Sequence, residues 1–226
     1  MRARGWSEAL PVVIINPNST VAMTDAMLAT ARAAVPALDF EGWTSHKGPP
    51  SIQGAEDGRA ATAPLLEMVA EAASAGADGI MIGCFDDTAL AEAAALAPCP
   101  VIGIGQAAFY ACALRQWRFS VVTTLSVSVP VIEGNIAHYG LAGFLGRVRA
   151  SEVPVLELDR APKAALSPIR GEAENAIQED GIDALVLGCA GMVRVTTSLR
   201  AALPVPVIDP VEAAAGSIAW LNELGH

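Results

Sequence analysis

The chain has 226 residues, of which 53% are apolar, and a formal net charge of −10 at pH 7. This length and apolar content suffice for a sizeable core, in one large domain or two small lobes. The acidic charge disfavours a nucleic-acid partner, and the interruption of every apolar run by Gly, Pro or a charged residue disfavours a membrane span.

The N-terminal stretch MRARGWSEALPVV has two arginines but no apolar segment followed by a cleavage site. We therefore expect no signal peptide and a cytoplasmic protein. The four cysteines, at positions 84, 99, 112 and 189, form no CxxC pair. With only three histidines in the chain, this spacing predicts neither a zinc site nor a structural disulfide, and no metal or cofactor is expected.

Strands and helices alternate along the sequence. Apolar runs that end in turn residues predict strands, and Ala-rich stretches with an apolar face predict helices. Predicted strands are 12–16, 38–43, 79–83, 101–104, 119–124, 145–150, 184–188 and 205–208. Predicted helices are a stretch ending near 35, then 55–75, 86–96, 105–115, 130–139, 169–180, a stretch ending near 202, and 211–221. This alternation predicts an α/β fold with parallel sheets flanked by helices.

The segment SHKGPPSIQG, residues 45–54, interrupts this pattern. Its Gly-Pro-Pro and its lack of periodicity predict a loop, long enough to serve as a lid or a pocket wall. Ile52 is the candidate in this loop for covering a substrate.

The two halves of the chain repeat each other. GADGIMIGC aligns with GIDALVLGC, PVIGIGQAA with PVIDPVEAA, and VIIN with SVVT, all at nearly the same offset. Three landmarks in one order indicate a duplicated half. We therefore expect two pseudo-symmetric lobes, each with a mostly parallel four-stranded sheet flanked by helices. The first comprises 11–108 and 213–226 with Cys84, and the second comprises 109–212 with Cys189.

Unusual polar residues follow the predicted strands. In open parallel sheets, ligands bind at the carboxyl ends of the strands, so a cleft between the lobes is the expected site. A cysteine at a helix N-terminus is a better acid than a free thiol, because the helix dipole favours the thiolate. The strand-end residues are Asn16, Cys84, Thr123, Thr124 and Cys189.

Two opposed thiols suit one kind of chemistry. Inversion of a carbon acid needs a base on one face and a conjugate acid on the other, and a thiolate and a thiol supply both. The carbanion is delocalised into a carbonyl, whose oxyanion needs hydrogen-bond donors. Candidate donors are the backbone amides of Phe85, Asp86, Ala190 and Gly191 and the side chains of Asn16, Thr123 and Thr124.

Structural roles are favoured for several other polar residues. Asp86 and Asp87 are expected to cap the helix after Cys84, although a carboxylate that pointed inward would oppose thiolate formation. Capping or packing between the lobes is also the expectation for Asp209. Cys99 and Cys112 lack the repeat context of the other two cysteines and are expected to pack or to lie in loops.

Six blocks in order, INPNST, GPPSIQG, GCFDDT, GIGQAA, VVTTLSVSVPVIE and LGCAGM, resemble the aspartate/glutamate racemase superfamily. Within it, the chain resembles the hydantoin racemase branch, which includes allantoin racemases. The resemblance covers residues 12 to about 216. It implies a cofactor-independent racemase with Cys84 and Cys189 as the acid–base pair, a substrate between two lobes, and commonly a homo-oligomer. The chain departs from the branch at Val127, where a basic residue is usual.

Charge indicates the substrate class. Among the motif blocks and their adjoining loop, only Lys47 is basic, so a cyclic ureide, a 5-monosubstituted hydantoin or allantoin, is favoured over aspartate or glutamate. An amino-acid racemase stays an alternative, as does an enzyme like maleate isomerase or arylmalonate decarboxylase that uses one cysteine. A non-enzymatic small-molecule sensor is a further alternative.

Overall fold

The computed structural model describes residues 11–224. The expectation that the chain has no signal peptide falls largely on residues 1–10, outside the described residues, as do 225 and 226 at the end of the predicted first lobe. Within the described range, no helix combines the length and the apolar character that a membrane crossing needs.

The first half forms a parallel four-stranded sheet in the order β2-β1-β3-β4. Every residue of β1, VVIIN, is buried, as expected for a strand that is covered by helices on both faces. The strands are β1 (Val12–Asn16), β2 (Phe40–Thr44), β3 (Gly79–Ile82) and β4 (Val101–Gly103).

The second half repeats this sheet in the order β6-β5-β7-β8, again with parallel strands throughout. Each strand occupies the place of its counterpart four strands earlier, so the predicted duplication is confirmed at the level of topology. The strands are β5 (Phe119–Thr123), β6 (Leu145–Ala150), β7 (Ala184–Gly188) and β8 (Val207–Ile208).

Nine helices in the described residues connect and cover the strands. They are α1 (Val21–Ala34), α2 (Ala55–Ser74), α3 (Leu90–Leu96), α4 (Ile104–Leu114), α5 (Val129–His138), α6 (Val155–Arg160), α7 (Pro162–Glu179), α8 (Thr196–Ala202) and α9 (Pro210–Glu223). Short 3-10 turns lie at Ser126–Ser128, Ala142–Phe144 and Ala190–Arg194.

Two predicted helices differ from those observed. The helix expected from Asp86 begins only at Leu90, because Asp87 and Ala89 have φ angles of 47° and 51°, which are incompatible with a right-handed helix. The Pro-containing segment before 169 is helical, as α6 and the start of α7. Pro154 and Pro162 are compatible with this, since they stand at the N-cap of α6 and at the first position of α7, whereas Pro168 lies inside α7.

The last helix packs against the first half of the chain. α9 contacts α1, α4 and β3, and Ile218 lies so close to Gly79 that a Cβ there would be 2.9 Å from its side chain. The proposed boundary between 108 and 109 falls inside α4, which contacts both α9 and β7. The division of the chain at these positions stays a prediction.

Strand order creates a crevice in each sheet. The chain leaves β1 toward β2 on one side and reaches β3 on the other, and β5 has the same relation to β6 and β7. Such switch points are where open parallel sheets bind ligands, outside the carboxyl ends of the strands. Cys84 follows β3 and Cys189 follows β7, so both thiols stand at these crevices.

Candidate active site

One pocket lies at the carboxyl ends of strands from both sheets and has about 370 Å³ of empty space. It brings together eight of the predicted site residues. They are Ile52, Cys84, Phe85, Asp86, Thr123, Thr124, Cys189 and Ala190.

Asn16 was predicted to contact substrate but does not line the pocket. It is fully buried, and its side-chain amide donates to Asn18 Oδ1 at 3.1 Å, to Thr24 Oγ1 at 3.0 Å and to the Thr20 carbonyl. Its own carbonyl oxygen accepts the Asn18 N–H. Asn16 therefore shapes the turn after β1, and Asn18, two residues later, is the residue at the pocket.

Gly191 is also absent from the pocket wall. The space beside its Cα is filled by Leu158, whose Cδ1 would lie 2.9 Å from a Cβ at this position. The Gly191 amide acts on the sulfur of Cys189, where it lowers the pKa of the thiol. Gly191 was predicted to donate to the oxyanion, but its N–H group instead donates to the sulfur of Cys189.

Cys84 is 9% exposed at the end of β3. Burial raises the pKa of its thiol far above the usual range, and the charge of Asp86 raises it further. Two donors act in the opposite direction, the Thr88 hydroxyl at 3.4 Å from Sγ and the Asp86 amide. The expectation of a strengthened acid is wrong here, because burial outweighs these two donors and no helix begins at Cys84 to add its dipole.

Cys189 is 8% exposed at the corresponding end of β7. Burial raises the pKa of this thiol to about 12, and the charges of Asp86 and Asp159 add to the effect. A 3-10 turn, Ala190–Arg194, follows Cys189, and the donation from Gly191 does not offset burial. The raised pKa values favour the protonated form of both thiols at neutral pH.

Asp86 and Asp87 were predicted to cap the helix after Cys84, but neither side chain does so. Asp86 lines the pocket, and burial raises the pKa of its carboxyl to about 7 despite hydrogen bonds from the Gly54 amide and the Ser128 hydroxyl. Asp87 turns away and accepts the N–H groups of Gly105 and Gln106 at 3.0 and 2.7 Å. It caps α4 instead of α3.

The two threonines after β5 have different surroundings. The Thr123 hydroxyl donates to the Gly188 carbonyl at 2.9 Å and so joins β5 to β7. Thr124 is 2% exposed and lines the pocket with Thr123. Since Thr123 already uses its proton, Thr124 is the better placed of the two to donate to a ligand.

Sequence reasoning missed several residues of the pocket wall. Asn18 and Ser128 stand inside blocks that had been singled out, INPNST and VVTTLSVS, so a local signal for them existed. Met23 and Val155 lie in α1 and at the start of α6, outside the repeated blocks, and no local pattern marks them. The missed wall residues are Asn18, Met23, Gly83, Ser128, Val155 and Gly188.

The pocket wall includes an acidic side chain, that of Asp86, but no lysine or arginine of the described residues. Lys47, the basic residue of the adjoining loop, is exposed and pairs with Glu67 at 2.7 Å. Residues 11–224 also hold no group of three or more His, Cys, Asp or Glu side chains arranged to bind a metal ion.

Val127, where the racemase branch usually has a basic residue, lies in the 3-10 turn Ser126–Ser128, against Gly54 at the end of the loop 45–54. It is 54% exposed, and a Cβ at Gly54 would be 2.9 Å from its side chain. The 3-10 turn of the second lobe thus packs directly on the loop of the first.

Comparison with known proteins gives consistent matches. The family model for Asp/Glu/Hydantoin racemase matches residues 12–218. A hydantoin racemase of Rhizobium meliloti is 41% identical over 202 residues, 89% of this chain and 84% of that protein. An allantoin racemase structure from Klebsiella pneumoniae is 36% identical with a TM-score of 0.90, covering 96% of this chain and 89% of the other. One from Pseudomonas fluorescens is 32% identical with a TM-score of 0.91, covering 96% and 92%.

These matches agree with the site and the fold. The structural superpositions confirm the two-lobed α/β architecture predicted from the repeat, and the named relatives confirm the expected racemase superfamily and an enzyme. The chain therefore belongs to the Asp/Glu/Hydantoin racemase family.

Proposed function

We propose that the protein is a cofactor-independent racemase of 5-monosubstituted hydantoins, with Cys84 and Cys189 as its two acid–base groups. The observation that carries this proposal is the shared pocket: two thiols from equivalent strand ends of a duplicated half line one small cavity. A racemase needs such a pair, because the proton leaves one face of the stereocentre and returns to the other.

In the proposed reaction, the thiolate of one cysteine removes the proton from C5 of the hydantoin ring. The electron pair moves into the adjacent C4 carbonyl and forms an enolate. The thiol of the other cysteine then donates its proton to the opposite face of C5. The products are the inverted hydantoin and a pair of cysteines with exchanged protonation states, so the reverse reaction uses the same groups.

The high pKa values of the thiols have a place in this mechanism. Burial makes each thiolate costly to form, and a thiolate that has formed in such a site is a correspondingly strong base. That basicity suits the removal of a weakly acidic C–H proton. One thiol must first release its proton to solvent, and the hydrogen bonds that substrate binding adds to the pocket favour this ionisation.

The enolate oxygen requires hydrogen-bond donors. We propose the Thr124 hydroxyl, the Asn18 side-chain amide and the backbone amides of Phe85 and Ala190, whose residues all line the pocket. Loss of one such donor typically costs about 3–4 kcal/mol of activation free energy. In this proposal, these donors stabilise the enolate more than they stabilise the substrate.

The lining residues favour a neutral ring over an amino acid or a dicarboxylate. No cationic side chain of the described residues is available at the wall to pair with a carboxylate. Met23, Ile52 and Val155 form an apolar part of the wall that suits an apolar C5 substituent. The ureido group of allantoin would leave polar atoms against these side chains at a cost in free energy.

Polarimetry on a panel of optically pure 5-substituted hydantoins, with allantoin and glutamate, tests the proposal. We expect complete loss of rotation with hydantoins that carry apolar substituents, slower loss with allantoin and none with glutamate. Cys84→Ser and Cys189→Ser should each lower the rate at least about 100-fold. Cys99→Ser, at a cysteine outside the pocket, is the matched control, and its rate should equal the parent rate. Parent rates in both active-site variants would contradict the assignment.

A further inference from the structure

Asp86 lines the pocket, and its carboxyl group has an unpaired oxygen. Its Oδ2 atom is enclosed by protein and has no hydrogen-bond partner among the described residues. The Gly54 amide and the Ser128 hydroxyl act on the carboxyl, yet they leave this oxygen without a donor. An enclosed carboxylate oxygen without a donor is costly, so its retention at a ligand pocket calls for a ligand that supplies one.

Asp86 lines the same pocket as Cys84 and Cys189. The charge of Asp86 raises the pKa of Cys84, in the first lobe, and of Cys189, in the second. A ligand atom that meets Asp86 is therefore near the atom on which both thiols act. For a ring whose C5 lies between the thiols, the neighbours of that carbon are N1 and C4.

The backbone at Asp86 is held in place from the other lobe. Asn135 of α5 donates its side-chain amide to the Asp86 carbonyl at 2.7 Å. Asp87, the next residue, accepts the Tyr139 hydroxyl at 2.9 Å. The carboxyl of Asp86 is thus presented by an anchored turn, as a group that orients a substrate needs to be.

We propose that Asp86 is a specificity-determining residue that accepts a hydrogen bond from the N1–H group of the hydantoin ring, beside the reacting carbon. This inference rests on the proposed function and adds the orientation of the ring. The substrates it selects are carbon acids with an N–H donor next to the stereocentre and a carbonyl on its other side.

Charge decides between the two neighbours of C5. The C4 oxygen becomes negative in the transition state, so a carboxylate beside it would raise the barrier. N1–H carries partial positive charge and satisfies the unpaired oxygen. With N1 at Asp86, the C4 oxygen points away from the carboxylate, toward the donors proposed for the enolate.

The contact also aids the ionisation of a thiol. A hydrogen bond from N1–H draws negative charge away from the carboxylate and weakens its effect on both sulfurs. Substrate binding therefore reduces one of the two causes that keep the cysteines protonated. Burial, the larger cause, is unchanged.

Methylated substrates test the proposal directly. We expect the parent protein to racemise an N1-methyl hydantoin with a kcat/KM about 10- to 100-fold below that of the unmethylated ring, as for the loss of one hydrogen bond to a charged group. An N3-methyl hydantoin should fall by much less. In Asp86→Leu, which keeps a similar volume but has no acceptor, the ratio between unmethylated and N1-methyl substrates should approach one.

Asp86→Asn keeps an acceptor oxygen without the charge and should retain the preference for the unmethylated ring. Asp25→Asn, an exposed position on α1, is the matched control and should behave as the parent does. Equal use of both rings by the parent, or an unchanged ratio in Asp86→Leu, would overturn this inference while leaving the racemase proposal intact. A parent inactive on every hydantoin would overturn the proposed function, and this inference with it.

Discussion

Cys84 and Cys189 are weak acids in this protein because each thiol is buried near the same carboxyl. Asp86 in turn is a weak acid because burial disfavours its charge. These three groups oppose one another's ionisation, and the arrangement does not benefit the stability of the fold. Arrangements of ionisable groups that do not stabilise the fold are commonly found at functional sites.

Asp86→Asn should make the protein more stable, and increasingly so as pH rises. The carboxyl has a pKa of about 7 when folded and an ordinary value of 3.8, so the folded state binds more protons between these values. Its contribution to the free energy of unfolding is present at low pH and is lost as pH rises through 7. We expect the gain of Asp86→Asn over the parent to grow by about 1–2 kcal/mol from pH 5 to pH 8.

Urea unfolding of both proteins at the two pH values measures this difference. Asp25→Asn should give the same small effect at both, since the side chain is exposed. A gain for Asp86→Asn that is independent of pH would contradict the proposed burial of charge.

Individual site residues differ in how far the sequence reveals them. The repeat singled out both cysteines, and their strand-end neighbours Asp86 and Thr124 followed from it. Met23 and Val155 could not be predicted, because they reach the pocket through the packing of α1 and α6 and no local motif marks them. The acidity of the thiols was misjudged because it depends on burial and on Asp86, which only three-dimensional contacts reveal.

The turns after β4 and β8 show how the two halves diverged. Asp209 caps α9 by accepting the N–H groups of Val211 and Glu212. Its aligned counterpart, Gly103, has no side chain to cap α4, and Asp87 from the neighbouring turn supplies the carboxylate instead. A Cβ at Gly103 would be 2.0 Å from Asp87 Oδ1, so glycine is required there for Asp87 to reach the helix.

Gly103→Ala should therefore destabilise the protein. The added methyl group displaces the Asp87 carboxylate from the α4 amides, and we expect a loss of about 1–3 kcal/mol in the free energy of unfolding. Gly171→Ala is the matched control, because nothing lies within 4 Å of a Cβ there and α7 gains helix propensity, with a gain of up to about 1 kcal/mol. Urea unfolding measures both, and a Gly103→Ala variant as stable as the parent would refute the capping role.

Most elements followed from the sequence, since apolar runs and Ala-rich stretches are strong local signals. The predicted helix after Cys84 starts four residues too early, because the local sequence does not reveal the positive φ angles of Asp87 and Ala89 or the capping of α4 by Asp87. Helix α6 and the start of α7 were missed because prolines that begin a helix resemble prolines that end one.

Hydrogen bonds join the two lobes next to residues of the pocket wall. The Gln53 side-chain oxygen, in the loop of the first lobe, accepts the Val155 N–H at the start of α6 at 3.1 Å. On another side, Arg194 donates to the Ala22 carbonyl of α1 at 3.2 Å. The duplication predicted two equivalent lobes, but these contacts between them are not symmetric and leave no trace in the repeat.

Gln53→Leu should weaken the closure of the pocket without unfolding the protein. We expect KM to rise by roughly two- to tenfold, because the lost hydrogen bond no longer holds the loop and α6 together over the bound substrate. Lys47→Ala is the control in the same loop, since its exposed ion pair with Glu67 contributes little. Steady-state kinetics with a hydantoin substrate compares them, and a KM for Gln53→Leu equal to that of Lys47→Ala would count against closure by this contact.

The central claim is that the duplicated half supplies one thiol for each face of the same carbon. Solvent exchange in D₂O by the single variants Cys84→Ser and Cys189→Ser, measured by NMR with each pure enantiomer of one hydantoin, tests it most directly. Each variant should exchange the C5 hydrogen of only one enantiomer, the opposite one in the two variants, without inverting either. Exchange of both enantiomers by either variant, or racemisation at the parent rate, would contradict the claim.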